Sequence, residues 1–224
     1  MKRNIILIII QLFVLNFCYS QSTISVDEFG DKVIKDQYGQ IQKVITIDIM
    51  GDTIVSDVYG NKLAIYSKDI FGNRVIKDGN GNVLKTISKD IFDHTIIQDG
   101  NGQTIVTVSK DIFGDTVIKN SSGQVIKTFS KDIFGNTVIK GSNGSVLRTV
   151  SKDIFGDLVI KDGNGQVIRT CSIDIFGNMV VKDGNGQILV TYSKELLTKA
   201  GFKGFDTESN IFQTLDDLIF DQIR

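Results

Sequence analysis

Apolar residues along the chain fall in short runs rather than at a helical step. Thr116-Val117-Ile118-Lys119 and Gln124-Val125-Ile126-Lys127-Thr128-Phe129-Ser130 are rich in β-branched side chains and are bounded by clusters of Gly, Asn and Asp, which is the grammar of strands separated by tight turns. The same pattern returns at a fixed interval. Ser-Lys-Asp-Ile-Phe-Gly begins at Ser67, Ser109, Ser130 and Ser151, with variants at Ser25, Thr46, Ser88 and Ser172, always 21 residues apart. Eight copies therefore fill residues 25–192, and repeats of this length signal a modular architecture.

Two positions are the same in every copy. The third is Asp (Asp27, Asp48, Asp69, Asp90, Asp111, Asp132, Asp153, Asp174) and the fifteenth is Gly (Gly39, Gly60, Gly81, Gly102, Gly123, Gly144, Gly165, Gly186). A Gly held at one turn position points to a positive φ. The fifth position is Phe in seven copies and Met50 in the other, and the ninth and tenth are Val or Ile.

Each copy reads as two strands and two turns. Asp78-Gly79-Asn80-Gly81 suits a two-residue hairpin with Gly79-Asn80 at its tip, which pairs Ile76 with Val83 and Val75 with Leu84. Keeping faces consistent then requires Ile87 to meet Ile97 across an odd loop, Ile91-Phe92-Asp93, whose last residue is left-handed. One large apolar residue per turn predicts a continuous buried Phe stack along one rim of the sheet. The fold class expected is all-β: tandem 21-residue hairpins in an elongated antiparallel sheet or solenoid, with a C-terminal helical cap. A parallel β-helix with one copy per coil is the alternative, but it stacks the Asp of successive copies about 4.8 Å apart without compensation.

The two ends differ from the repeats. Met1-Lys2-Arg3-Asn4 is a cationic head followed by an apolar stretch from Ile5 to Leu15 broken by Gln11, too short for a bilayer-spanning helix, so residues 1–20 read as a signal peptide cleaved after Ser20. Phe17 before Cys18 does not suit a lipoprotein signal, and lipid anchoring at Cys18 is not expected. With the signal removed, no membrane span remains and Cys171 is the only thiol. Residues 193–224 leave the repeat: Lys194 to Ala200 suits a short helix ended by Gly201. Ile211, Phe212, Leu215, Leu218, Ile219 and Ile223 fall at helical steps after Thr207-Glu208-Ser209. This cap has two possible roles, a lid over the open edge of the last hairpin or a docking element for a partner.

Asp-x-x-Gly opening each copy, a Gly-bearing turn near its middle and the 21-residue step resemble the Tyr-Asp repeats of bacterial Rhs and related wall-associated proteins. The likeness covers Ser25 to Tyr192. The usual Tyr before the Asp is replaced by Lys68, Lys89, Lys110, Lys131 and Lys152, and the inter-Gly spacing is nine rather than ten. The resemblance implies a β-hairpin repeat exported or displayed by a bacterium and carries over no enzymatic activity.

Composition narrows the chemistry. A net charge of -1 and no Pro or Trp in 224 residues give no electrostatic basis for nucleic-acid binding and leave the turns to Gly, Asn and Asp. Asp-Gly-Asn-Gly is complete in four copies (Asp78, Asp99, Asp162, Asp183) and resembles the opening of a calcium loop. The residue due to supply a bidentate Glu is Lys89, Lys110 or Ile173 in the first three, so the motif reads as a turn. His94 is the single histidine, and without a second His or a Cys pair neither a nitrogen or sulfur metal site nor a nucleophilic triad can be assembled. No enzyme activity and no cofactor are expected.

What repeats instead is a hydroxyl face. Thr86 and Ser88, Thr107 and Ser109, Thr128 and Ser130, Thr149 and Ser151, Thr170 and Ser172 alternate so that each pair shares one side of its strand, as Thr191 and Ser193 do. The sequence therefore predicts a secreted or cell-surface, non-catalytic repeat protein with a structural, adhesive or binding role toward a surface protein or glycan. The alternative is a carbohydrate- or ice-contacting binder that uses this Thr-x-Ser face.

Overall fold

A computed structural model of the chain describes residues 22–200; the expected signal peptide and the helix expected from Ile211 lie outside them. The described residues form one seventeen-stranded sheet and one helix. The strands are β1 (Ser22–Val26), β2 (Lys32–Lys35), β3 (Ile41–Ile47), β4 (Thr53–Asp57), β5 (Lys62–Lys68), β6 (Arg74–Asp78), β7 (Val83–Lys89), β8 (Thr95–Asp99) and β9 (Thr104–Lys110). They continue as β10 (Thr116–Asn120), β11 (Val125–Lys131), β12 (Thr137–Gly141), β13 (Val146–Lys152), β14 (Leu158–Asp162), β15 (Val167–Ile173), β16 (Met179–Asp183) and β17 (Ile188–Tyr192). Two compact units divide the chain. Of the described residues, one takes in Ile41–Ser151 and Ile160–Ile168; the other takes in residues 22–40, Lys152–Val159 and residues 169–200.

Every copy contributes a short strand and a longer one, paired antiparallel, as in β6–β7 and β7–β8. Antiparallel pairing excludes the parallel β-helix. Ile87 meets Ile97 as face consistency requires, and Asp93 takes the left-handed conformation at φ 64°. The other turn departs from the expected two-residue hairpin. Ile76 pairs with Lys85 and Val75 with Thr86, and the register then slips by one so that Lys77 faces Val83. A bulge places Leu84 as an extra residue in the long strand, and the same slip recurs at Val55/Ser56, Ile97/Gln98, Ile118/Lys119, Ile139/Lys140 and Val181/Lys182. Bulges of this kind absorb one residue and sharpen the local twist.

Both turns of a copy have one geometry. The Asp78 N–H donates to the Asn82 carbonyl at 2.9 Å and the Gly81 N–H to the Asp78 carbonyl at 3.1 Å, while Asp111, Asp115 and Gly114 repeat the arrangement at 2.9 and 3.1 Å. Three residues form each loop, and the third is left-handed, with φ between 78° and 89° at the eight repeated Gly of the fifteenth position. That conformation favours Gly and accounts for its presence in every copy.

The sheet does not end in open edges, as an elongated repeat sheet or solenoid would. β1 pairs with β17, bringing Ser22 opposite Val190, Thr23 opposite Thr191 and Ile24 opposite Tyr192. These are equivalent repeat positions, so β1 offers β17 a Thr beside its Thr and an apolar residue beside its Tyr. With an odd number of strands alternating in direction, the first and last run the same way, and this pair is parallel. Closure removes the exposed strand edges that invite pairing with another chain.

One face of the sheet carries most of the core, and the other is half exposed apart from buried position-9 residues such as Val75 and Val117. In the Ile41–Ser151 unit the core face carries positions 10 and 21 of each copy, among them Val55, Ile87, Ile97, Ile118, Phe129, Ile139 and Val150, all at most 5% exposed. In the other unit Ile24, Ile34, Leu158, Cys171, Val190 and Tyr192 are buried. Helix α1 (Lys194–Ala200) packs against β1 there, with Leu196 and Leu197 buried and the Ser193 Oγ accepting the Leu196 N–H at 3.3 Å. The Ser193 N–H donates to the Ile24 carbonyl at 2.9 Å. The last hairpin's edge is occupied by β1, so this helix is not the lid over an open strand that the sequence suggested.

Candidate binding surface

The repeated Asp is a turn-building residue. The Asp69 Oδ1 accepts the backbone N–H groups of Phe71 and Asn73 at 2.9 and 2.8 Å, and Oδ2 accepts the Asn73 side-chain amide at 2.9 Å. The same backbone pair is bonded at Asp27, Asp48, Asp90, Asp111, Asp132, Asp153 and Asp174. The Asn side-chain amide, with the turn N–H groups behind it, holds Asp57, Asp69, Asp78 and Asp132 below the usual carboxylate range. A carboxylate engaged in this way stabilises its turn and is a poor proton acceptor for anything else. Among the described residues, no group of three His, Cys, Asp or Glu is placed to hold a metal ion.

The loop that follows this Asp carries the least expected feature. Phe side chains do not form a buried stack: Phe71, Phe92, Phe113 and Phe134 are 72–84% exposed, and Ile70, Ile91, Ile112 and Ile133 are 92–93% exposed. The physical reason is the loop length. The three loop residues stand beyond the last paired residues and are separated by two strands from the next such loop, about 10 Å away, too far for neighbouring rings to cover one another. Two apolar residues adjacent in a three-residue loop are the sequence signal for this exposure.

In the Ile41–Ser151 unit five such tips occupy one end of consecutive hairpins: Ile49-Met50 and the four Ile-Phe pairs. Charged residues flank them. Lys89 Nζ bonds the Asp93 carbonyl at 2.8 Å and its carboxylate at 3.1 Å, Lys131 Nζ bonds the Gly135 carbonyl at 3.2 Å, and His94 Nδ1 lies 2.9 Å from Asp90 Oδ2. The turns at the opposite end use the same hydrogen bonds, around polar tips at Gly79-Asn80, Gly100-Asn101 and Ser121-Ser122 and around the exposed Val58-Tyr59 in one copy.

The Thr-x-Ser residues lie on the half-exposed face. Thr86, Ser88, Thr107, Ser109, Thr128, Ser130, Thr149, Ser151, Thr170 and Ser172 are all half-buried. They do not touch as one hydroxyl array, because position 9 stands between them: Val138 is opposite both Ser130 and Thr149, and Lys140 is opposite Thr128. The face therefore mixes hydroxyls, Val and Lys.

Burial shifts the titration of several groups, raising Tyr66 and lowering Lys43 among them. Burial pushes the Cys171 thiol up to about 11 and Lys32 down to about 8. A thiol held protonated in this way is a packing group rather than a nucleophile. In the same unit, a cavity of about 270 Å³ lies where β1, β2 and β17 meet, lined by Ser22, Thr23, Lys35, Asp36, Ile188 and Thr191 among others. The Asp36 Oδ1 accepts the Tyr38 and Gln40 N–H groups, so its carboxylate also serves a turn.

No family model matches the chain. No curated protein matches it either. Among solved structures it is similar to a protein from Arabidopsis thaliana, at 16% identity over 48% of this chain and 70% of that one, with a TM-score of 0.30. An alternansucrase in complex with isomaltononaose matches at 23% identity over 75% of this chain but 15% of that one, with a TM-score of 0.18. The TCP10 domain of Danio rerio CPAP matches at 12% identity over 76% of this chain and 99% of that one, with a TM-score of 0.20. At TM-scores this low, none of the three fixes a common fold or a function.

Proposed function

We propose that this chain is an exported, non-catalytic repeat protein that acts at the cell exterior as a structural or adhesive surface. The observation that carries this reading is the use of the repeated Asp. Its carboxylate is committed to backbone N–H groups in every copy, so the copies display apolar tips and a Thr, Ser and Lys face rather than a reactive centre. Such a surface favours many weak, equivalent contacts, which add through effective concentration. The half-exposed face, with Lys140 beside Thr128, does not suit a hydrocarbon-facing band.

Antibody detection on intact producing cells, before and after external protease, tests the location. Surface or medium-borne protein is expected, and protease-protected cytoplasmic protein overturns the proposal. A binding screen on intact cells and glycans then tests the role. If glycan binding is found and disappears in a Thr128→Ala, Ser130→Ala, Thr149→Ala, Ser151→Ala variant with an unchanged fold, the hydroxyl face is the binding surface. That second reading is favoured by the half-exposure of those side chains on one face.

A further inference from the structure

We infer that the row of apolar tips on the Ile41–Ser151 unit is a contact surface for a second copy of this chain, the two rows packing end to end. The turn itself does not need Ile and Phe. The same hydrogen bonds and the same left-handed third residue are made around Gly79-Asn80 and Ser121-Ser122 at the opposite end of the hairpins, so the apolar content of Ile112-Phe113 and its equivalents serves something other than the turn.

The repetition restricts the partner. Five tips recur every two strands, about 10 Å apart, and a partner that engages them together must offer apolar sites at that same interval. Another copy of the chain does. The area is sufficient: a covered Phe removes about 150–250 Å² from water, so four Phe with their Ile neighbours expose on the order of 1,000 Å². Summed over the row, that reaches the roughly 800 Å² per partner of a specific interface.

Charge points the same way. In a two-fold contact the row meets itself reversed. Asp52 at the first tip then lies toward Lys131 at the last, Lys68 at the second toward the Lys110 and Asp115 of the fourth, whose two charges balance, and Lys89 and Asp93 at the middle tip toward their own counterparts. A membrane surface fits less well, since Asp52, Asp93 and Asp115 stand beside the tips and anionic headgroups repel them. The apolar segment from Ile211 to Ile223 occurs once and cannot match five equivalent sites. The inference rests on the tips alone and stands whether or not the chain is exported.

Sedimentation velocity on the purified chain, from roughly 1 to 100 µM, is expected to give a dimer. Replacing Phe92, Ile112 and Phe113 with Ser should leave the circular dichroism unchanged, because these side chains are exposed, and weaken self-association at least about hundredfold. Lys131→Glu should weaken it, and Asp52→Lys added to that variant should restore it. A monomer throughout the range overturns the inference, and so does a dimer indifferent to the Ser replacements. It also fails if the dimer appears only after residues 201–224 are removed, which identifies that segment as the native cover, or if the tips bind the monomer to phosphatidylcholine vesicles.

Discussion

Asp132 illustrates what a single repeated side chain does. Its Oδ1 accepts the N–H groups of Phe134 and Asn136, each at 2.9 Å. Asn120, at the equivalent place in a polar turn, makes the same two bonds with an amide oxygen, at 3.1 and 2.9 Å. Asp132→Asn keeps these two bonds but gives up the Oδ2 that accepts the Asn136 side-chain amide at 2.9 Å, so it should destabilise the chain, though less than Asp132→Ala, which leaves the backbone donors to water as well; the order of the urea midpoints, parent above Asn above Ala, checks this. Asp93 is the non-Gly residue with positive φ among those described. Asp93→Gly should raise stability by roughly 0.5–1 kcal/mol, read as a higher urea midpoint with an unchanged slope. Phe113, 84% exposed, should tolerate replacement by Ala with a change under about 0.5 kcal/mol. Lys32 titrates in the folded chain near 8 instead of 10.5, so between those values the unfolded chain holds more protons than the folded one. Its burial cost is full below pH 8 and is relieved as pH rises toward 10.5. Lys32→Met should stabilise the chain by about 1–2 kcal/mol at pH 7, allowing for solvent around the ammonium, and melting curves of variant and parent should converge by pH 10.

At the scale of the hairpin, the sequence was most informative where one residue type alone satisfies the backbone. The 21-residue period, the left-handed Asp93 and the pairing of Ile87 with Ile97 follow from Gly placement and from the period-two alternation of faces. The polar turn departs from the two-residue hairpin that Asp-Gly-Asn-Gly resembles, because the Asp78 side chain bonds Asn80 and Asn82, which fixes a three-residue loop and forces the bulge at Leu84. Exposure of the Ile-Phe tips was hidden for a different reason. Hydrophobic residues are usually inside, and periodicity alone does not show that a short loop carries them beyond the sheet. The backbone at Gly100 lies so close to the Val83 carbonyl that a Cβ there would collide with it. Gly100→Ala should consequently force neighbouring hairpins of the unit apart and lower the thermal midpoint by several degrees, while Gly114→Ala, in open space at φ 85°, carries only a backbone cost.

At the scale of the whole chain, hairpins add in units of one copy. Deleting residues 130–150 removes two strands, keeps their number odd and leaves β1 parallel to the final strand, so the shortened chain should fold with a cooperative melt. Deleting ten residues joins mismatched strands and turns side chains to the wrong face; circular dichroism should show it largely unfolded. Equal unfolding of both deletions would count against strand closure as the organising contact. The parallel pairing of Ser22 with Val190 and of Ile24 with Tyr192 also sets an order of events in time. Each hairpin joins residues a few positions apart and can form within microseconds, but the seam joins strands separated by nearly the entire chain. During synthesis β1 emerges first and waits, its outer edge bare, until every other strand has been made. The closing step is therefore the slow, exposed stage of folding, when an unfinished chain is most open to capture by a chaperone or by the edge of a neighbour.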